Sequence, residues 1–284
     1  MILLTGATGS VGSETVRLLA DQHHPVRAVV RDPSRVERTD IEVVAGDFDD
    51  PDSLDAAMHG VDTVVLVSPA VPRQEIAAID SAVRAGVSHV VKATSKASAD
   101  SPVERRRGQT QIEEHLRATG LGWTLLRSNA YLQNLLALAP VVSRTGGFVM
   151  SAGDGQVGMV DARDVAAVAA VAAVAAVIAT SPTDHAGATY WPTGPALITY
   201  TDIATGLSDA LGRPIEYRRI SPAEHRDMMI GAGVPVPVAT SNAQAFGLIA
   251  EGDAAWITGD VEAITGQVPR SLQTFITEHS RAFG

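Results

Sequence analysis

The chain opens "MILLTGATGSVGSETVRLLA", and this stretch leaves few folds open to it. An apolar run ends in three glycines, Gly6, Gly9 and Gly12, spaced G-x-x-G-x-x-G. From there Val11, Val16, Leu18 and Leu19 recur at helical spacing. A strand that turns through glycine straight into a helix begins a βαβ unit. In such a unit Gly6 makes the tight turn and Gly9 lets the backbone approach a diphosphate, while Gly12 allows close helix-to-strand packing. The free amides of Thr8, Ser10 and Val11 then point at an anion. Glycine spacings also arise by chance, and a plain strand-to-helix turn is the alternative. The strand before the turn and the helix after it give this one its weight.

The same rhythm continues. "PVRAVVRD", "IEVVAGDFD", "VDTVVLVSP", "VSHVVKATS" and "GWTLLRSN" read as further strands, and "QEIAAIDSAVRAG" and "QTQIEEHLRATG" as intervening helices. Alternation of this kind implies parallel pairing with right-handed crossovers. The expected fold is α/β, a Rossmann-type doubly wound parallel sheet with a smaller C-terminal α/β lobe. Residues 1–134 would form the dinucleotide-binding domain, also receiving part of 150–180, and residues 135–284 a substrate-covering lobe interleaved with it. "GGFVMSAGDGQVGMV" suggests a hairpin or short strands, and the segment from His185 to Ser221 suggests strand, loop, helix and strand. Gly and Pro punctuate residues 231–252, as in a mobile lid or a surface connection. "VAAVAAVAAVAAVIA", Val165–Ala179, reads as a buried close-packing helix with Asp161 as N-cap and Asp164 in its first turn. It falls short of the roughly 20 strongly apolar residues of a spanning helix, so no membrane partner is expected.

With 284 residues the chain can bury a substantial core. Its formal net charge of -10 repels a phosphate backbone, which argues against direct nucleic-acid binding. The absence of cysteine excludes disulfides, thiolate metal sites and cysteine nucleophiles, and fits a reducing, cytoplasmic location. Met1 leads at once into the first strand, so no signal peptide is expected. His115 and His185 read as surface residues, and no His and carboxylate spacing suggests a metal.

Open α/β sheets bind ligands at the carboxyl ends of their strands. The second strand ends "VVRDPSR", where Arg31 and Arg35 can pair with an adenosine 2′-phosphate and Ser34 can add a hydroxyl. This favours NADPH or NADP+ over NAD(H), although Asp32 keeps NAD(H) open. Asp47 and Phe48 follow the third strand and could meet the adenine. Val67, Ser68 and Pro69 end the fourth, beside a nicotinamide ribose, and Thr94 and Ser95 end the fifth.

In order along nearly the whole chain, "LLTGATGSVG", "VRAVVRDPSR", "GDFDDPDSL", "HVVKATS", "GWTLLRSNAYLQN", "MVDARDVAAVAA" and "DVEAITGQVPRSLQTFITEH" resemble the NmrA-like group of atypical short-chain dehydrogenase/reductase proteins, which includes bacterial NAD(P)H:quinone oxidoreductases. The resemblance implies NADPH held by the glycine turn and Arg31, and a lobe over the substrate. It implies either a reductase of quinones or activated conjugated carbonyls, some of them in natural-product tailoring, or a non-catalytic NADP(H)-sensing protein that grips a regulatory partner. A small quinone-like or aromatic substrate, a homodimer and a regulatory protein are the partners it leaves open.

Members of the wider superfamily carry Tyr-x-x-x-Lys as an acid–base pair, and many NmrA-like enzymes carry His or Tyr with Lys. Aligned through "IEEHLRATG", this chain has Arg105 and Gln109 there, and neither gives up a proton near neutrality. The remaining candidates for the chemistry are Gln109, as a hydrogen-bonding group to the nicotinamide or its ribose, and the hydroxyls of Ser95 and Tyr131. Ser95 can equally cap a loop and Tyr131 can simply line a pocket. Of the run Arg105, Arg106 and Arg107, one arginine is expected to face the site and the others water, with Arg105 or Arg107 as a candidate substrate clamp.

Overall fold

The computed structural model describes residues 1–36, 38–178 and 185–284. Its centre is a parallel sheet of seven strands: β1 (Ile2–Thr5), β2 (Val26–Val30), β3 (Glu42–Ala45), β4 (Thr63–Leu66), β5 (His89–Ser95), β6 (Gly122–Ser128) and β8 (Ala188–Tyr190). The order is β3-β2-β1-β4-β5-β6-β8, so the chain reverses direction across the sheet between β1 and β4. That reversal opens the crevice where doubly wound sheets take a ligand. β1 and β4 are buried along their whole length, as continuous apolar strands covered on both faces must be.

Helices α1 (Ser10–Asp21) and α6 (Ala162–Ile178) cover one face, with Val16, Leu19, Val168 and Ala172 packed on Leu4, Val65, Val91 and Leu126. The alanines of α6 let it lie close to the sheet, as the AAV pattern suggests. Asp161 starts it by accepting from the Arg163 amide at 2.8 Å, while Ala179 of the expected helix lies outside the described residues. Helices α2 (Pro51–Met58), α3 (Pro72–Arg84) and α4 (Glu104–Ala118) cover the other face through Leu54, Met58, Ile79, Ile112 and Leu116. None of the described helices is long and apolar enough to cross a membrane.

A second core lies beyond β6. It joins α5 (Ala139–Thr145), β7 (Gly147–Met150), α7 (Tyr200–Leu211), β9 (Glu216–Arg219) and α11 (Leu272–Phe283) around Phe148, Tyr200, Leu207 and Phe275. The structure decides two expectations here. Of the hairpin or short strands expected from "GGFVMSAGDGQVGMV", the short strand is what forms, with a distant partner: β7 pairs in parallel with β9, and Val157 bridges Ile198. The cause is aromatic packing, with the Phe148 ring stacked on Tyr217 at 5.5 Å and edge-on to Tyr200 at 6.4 Å.

The Gly- and Pro-punctuated segment is largely helical, as α8 (Pro222–Gly231) and α9 (Val236–Ala250). Pro235 is the N-cap of α9 and Pro237 stands in its first turn, where a missing amide hydrogen costs nothing. Ala239, Ala243 and Ile249 are buried, and a β-carbon on Gly155 would stand 2.0 Å from the Ile249 carbonyl oxygen, so α9 sits tight on the 151–158 loop. A short helix α10 (Asp260–Thr265) precedes α11.

Candidate active site

Carboxyl ends of β4, β5 and β6 converge on the start of α1. Thr5 fixes the crevice from below, its buried hydroxyl donating to the Val67 carbonyl and accepting from the Val67 amide, both at 2.9 Å. Gly6 adopts φ +64, and a β-carbon on Gly12 would lie 2.1 Å from the Gly6 carbonyl oxygen. The third glycine is therefore required by contact of the helix with the turn itself, a closer constraint than helix-to-strand packing. Gly9, with φ -92, is the N-cap and offers no side chain to the free amides behind it. Such amides can receive an anion.

Above this turn lies a cavity of about 480 Å³. It brings together Gly9, Ser10, Val11, Val67, Ser68, Pro69, Thr94, Ser95, Gln109 and Tyr131, which the sequence placed on five separate segments. Two of them carry an unmet demand: Ser95 Oγ and Gln109 Oε1 are buried and have no hydrogen-bond partner. Gln109 is only 3% exposed, and an orphaned buried acceptor costs about 1–3 kcal/mol. Such a cost is tolerable where a ligand will complete the hydrogen bond.

Tyr131 meets Ser128, whose hydroxyl lies 2.9 Å from the phenol oxygen and 3.2 Å from the Thr94 carbonyl. Burial raises the Tyr131 pKa against the opposing pull of Ser128 and Arg105, so the phenol stays neutral. Arg105 lines the cavity with part of its side chain exposed; desolvation of its buried part and the charge of Arg106 lower its pKa, but a guanidinium stays charged near neutrality. Its neighbours are spoken for. Arg106 pairs with Asp253 at 2.7 Å, and Arg107 donates to the Ser101 and Pro102 carbonyls at 2.6 and 2.9 Å. Arg107 thus braces the loop before α4 while also lining the adjoining surface groove.

The remaining sequence candidates do not line the cavity. Thr8 is exposed on the turn. Arg31, Ser34 and Arg35 stand exposed beyond the end of β2, and Asp32 accepts from the Ser34 hydroxyl at 2.6 Å and its amide at 3.1 Å. Asp47 uses one carboxylate oxygen on the Asp49 amide at 2.9 Å, and Phe48 packs against the core under α2. His115 is half-exposed and pairs with Asp80, and His185 contacts the Tyr190 hydroxyl at 2.7 Å. No cluster of potential metal ligands occurs among the described residues.

Several contributors escaped the sequence reading. Ser68 donates to Glu75 at 2.5 Å, and Glu75 pairs in turn with Lys92, both fully buried. A lysine inside the apolar strand "HVVKATS" was the available signal, since a buried ammonium must have a counter-ion. Lys96 and Arg106 both reach Asp253, at 2.6 and 2.7 Å, and the Asn129 amide donates to the Ala254 carbonyl at 3.0 Å. These contacts fasten the loop after α9 over the cavity, so that Ala245, Ile249 and Trp256 form its cover. Burial works against the Asp253 charge, yet the two cations outweigh it and hold its carboxyl below the usual range. No local pattern marks Asp253 or Trp256, because their partners lie far away in the chain.

Comparison with known proteins bears on this arrangement. The model of the NmrA-like family matches residues 1–276. The chain belongs to the NmrA-like family. It is 35% identical over 291 aligned positions to the NAD(P)H azoreductase of Xenophilus azovorans, covering 100% of this chain and 99% of that protein. It is 37% identical to the (4-alkanoyl-5-oxo-2,5-dihydrofuran-3-yl)methyl phosphate reductase of Streptomyces griseus, again over 100% and 99% of the two chains. Among solved structures, the NADPH-dependent quinone oxidoreductase of Escherichia coli in complex with NADPH superposes with a TM-score of 0.87 at 26% identity, covering 98% of this chain and 99% of that one.

Proposed function

We propose that this NmrA-like chain is an NADPH-dependent oxidoreductase that reduces a quinone or a similarly activated conjugated carbonyl. The observation that carries the reading is the pair of orphaned oxygens, Ser95 Oγ and Gln109 Oε1, in a covered cavity that opens on the glycine turn. Those residues fit a dinucleotide: the Ser10 and Val11 amides take its diphosphate, while the Gly9 amide closes the turn onto the Gly6 carbonyl at 2.9 Å, and Arg31, Ser34 and Arg35 take the 2′-phosphate. Asp47 and Phe48 would meet the adenine, while Val67, Ser68 and Pro69 run beside the second ribose. Thr94, Ser95 and Gln109 would position the nicotinamide. The relatives named for NAD(P)H or NADPH support the same cofactor.

When bound, NADPH supplies a hydride. The chain then has to orient the acceptor, exclude water and stabilise the oxygen that gains charge. The neutral Tyr131 hydroxyl, supported by Ser128, is the group for that oxygen. Neither Arg105 nor Gln109 releases a proton near neutrality, so the proton that completes a hydroquinone comes from water. Quinones are electrophilic enough for this division, whereas an unactivated ketone would need the missing dyad.

The missing dyad also favours a second reading, a non-catalytic NADP(H) sensor that acts through a protein partner. The two separate in one experiment: purified protein with NADPH and a panel of quinones and enones, followed by the absorbance of reduced nicotinamide. Consumption of NADPH in proportion to protein supports the reductase. A flat trace with every acceptor, together with a partner retained by one redox state of the nucleotide and not the other, supports the sensor.

A further inference from the structure

Arg105 alone of the three consecutive arginines has no hydrogen-bond or ion-pair partner among the described residues, and its position deepens the reductase reading on which the following rests. It lines both the covered cavity and an adjoining surface groove of about 550 Å³, which share only Pro69, Ala70 and Arg105 in their walls. Val71, Pro72, Pro237 and Val238 give the groove an apolar part, and Arg107, Gln111, Ser241 and Asn242 a polar one. Glu104 lines it too, but forms no ion pair with Arg105.

Charge at this junction is unbalanced. Lys96 and Arg106 share the single carboxylate of Asp253, so the cavity wall keeps a surplus cation before Arg105 is added. The whole chain carries -10, which makes a local positive field here a feature of placement and not of composition. The diphosphate has its own donors, the Ser10 and Val11 amides at the start of α1, and so does not call on Arg105.

We propose that Arg105 recognises an oxyanion carried by the acceptor itself: the molecule reduced here has a flat conjugated body in the cavity and a sulfonate, phosphate or carboxylate directed at the groove. A planar guanidinium binds such groups through paired hydrogen bonds that an amide cannot reproduce. An apolar tail beyond the anion would follow the groove along Val71 and Val238.

The test uses two acceptors of matched body, naphthoquinone sulfonate and uncharged naphthoquinone, with wild-type protein, Arg105→Gln and Arg105→Lys. Wild type should prefer the sulfonate in kcat/KM by about tenfold or more. Arg105→Gln should abolish that preference and Arg105→Lys should restore part of it, with the difference in KM more than in kcat. Calorimetric titration of naphthoquinone sulfonate into NADP+-loaded protein gives a readout that needs no turnover, and Arg105→Gln should weaken it by a similar factor. An unchanged sulfonate preference in Arg105→Gln, or none in wild type, overturns the proposal while leaving the reductase intact. A loss confined to NADPH affinity overturns it as well, by assigning Arg105 to the cofactor. Arg105-dependent sulfonate binding with no NADPH oxidation by any acceptor would support the anion site and sink the reductase reading.

Discussion

At the scale of single residues, the protein leaves polar atoms unsatisfied where a ligand would complete them. Gln109 is buried in α4 with an unpartnered oxygen, and a methionine there would keep the volume while removing the orphan. Gln109→Met should therefore raise the stability of the nucleotide-free protein by about 1–2 kcal/mol and weaken NADPH binding, read by thermal unfolding and by calorimetry. A purely structural glutamine would lose stability instead. Arg31 tests cofactor choice: Arg31→Asp should cost NADPH binding about 1–3 kcal/mol more than NADH binding. Equal weakening of both would remove the 2′-phosphate from its role. Tyr131→Phe, which deletes the phenol oxygen and leaves Ser128 with the Thr94 carbonyl, should lower kcat with quinones while sparing NADPH affinity. An unaltered kcat would show that Tyr131 only lines the pocket.

At the scale of elements, the decisive joints are the start of α1 and the loop after α9. A β-carbon on Gly12 meets backbone, which cannot swing aside as a side chain can. Gly12→Ala should cost about 2–4 kcal/mol in the unfolding free energy, read from denaturant midpoints, and should abolish nucleotide binding along with it. The loop is held by Asp253, whose loss leaves Lys96 and Arg106 without a counter-charge. Asp253→Asn should then lower the thermal midpoint and raise KM for the acceptor more than for NADPH, because the cover and not the glycine turn is loosened. How far each joint could be read in the sequence follows from the range of its contacts. The turn is local, so glycine spacing and flanking periodicity revealed it. The α9 segment misled because Gly and Pro punctuation also fits a helix whose prolines stand in the first turn. Strand β8 was legible as a strand, but its place beside β6 is a distant pairing that no local pattern carries.

At the scale of the whole molecule, two cores are joined by a fastened crevice, and buried histidines link its stability to pH. Burial, aided by the neighbouring His185, pushes the His89 pKa down from 6.5 to about 4, and the ring contacts the Thr124 hydroxyl at 2.9 Å. His225, against Ser151 at 2.9 Å, is lowered by burial too. An unfolded chain binds protons on these rings more readily than the native one. Stability is therefore complete above the ordinary imidazole value and falls as pH drops from there toward the folded values. Between pH 6.5 and about 4, His89 alone should account for about 2–3 kcal/mol, read from denaturant midpoints across pH. Replacement by Asn or Gln at both positions should flatten that slope. The doubly wound parallel sheet was anticipated from strand and helix alternation, and its order places the β4, β5 and β6 ends beside the α1 start. The pairing of the cover with the sheet was not, since it rests on single charges meeting across the molecule.

The central claim is that the cavity between those strand ends and the α9 loop is where nicotinamide meets acceptor. A crystal structure of the NADP+ complex tests it most directly. Diphosphate should lie against the Ser10 and Val11 amides, and the nicotinamide within hydrogen-bond reach of Ser95 or Gln109 with its reactive face toward Tyr131. A nucleotide bound elsewhere, or one whose nicotinamide points out of this cavity, would contradict it.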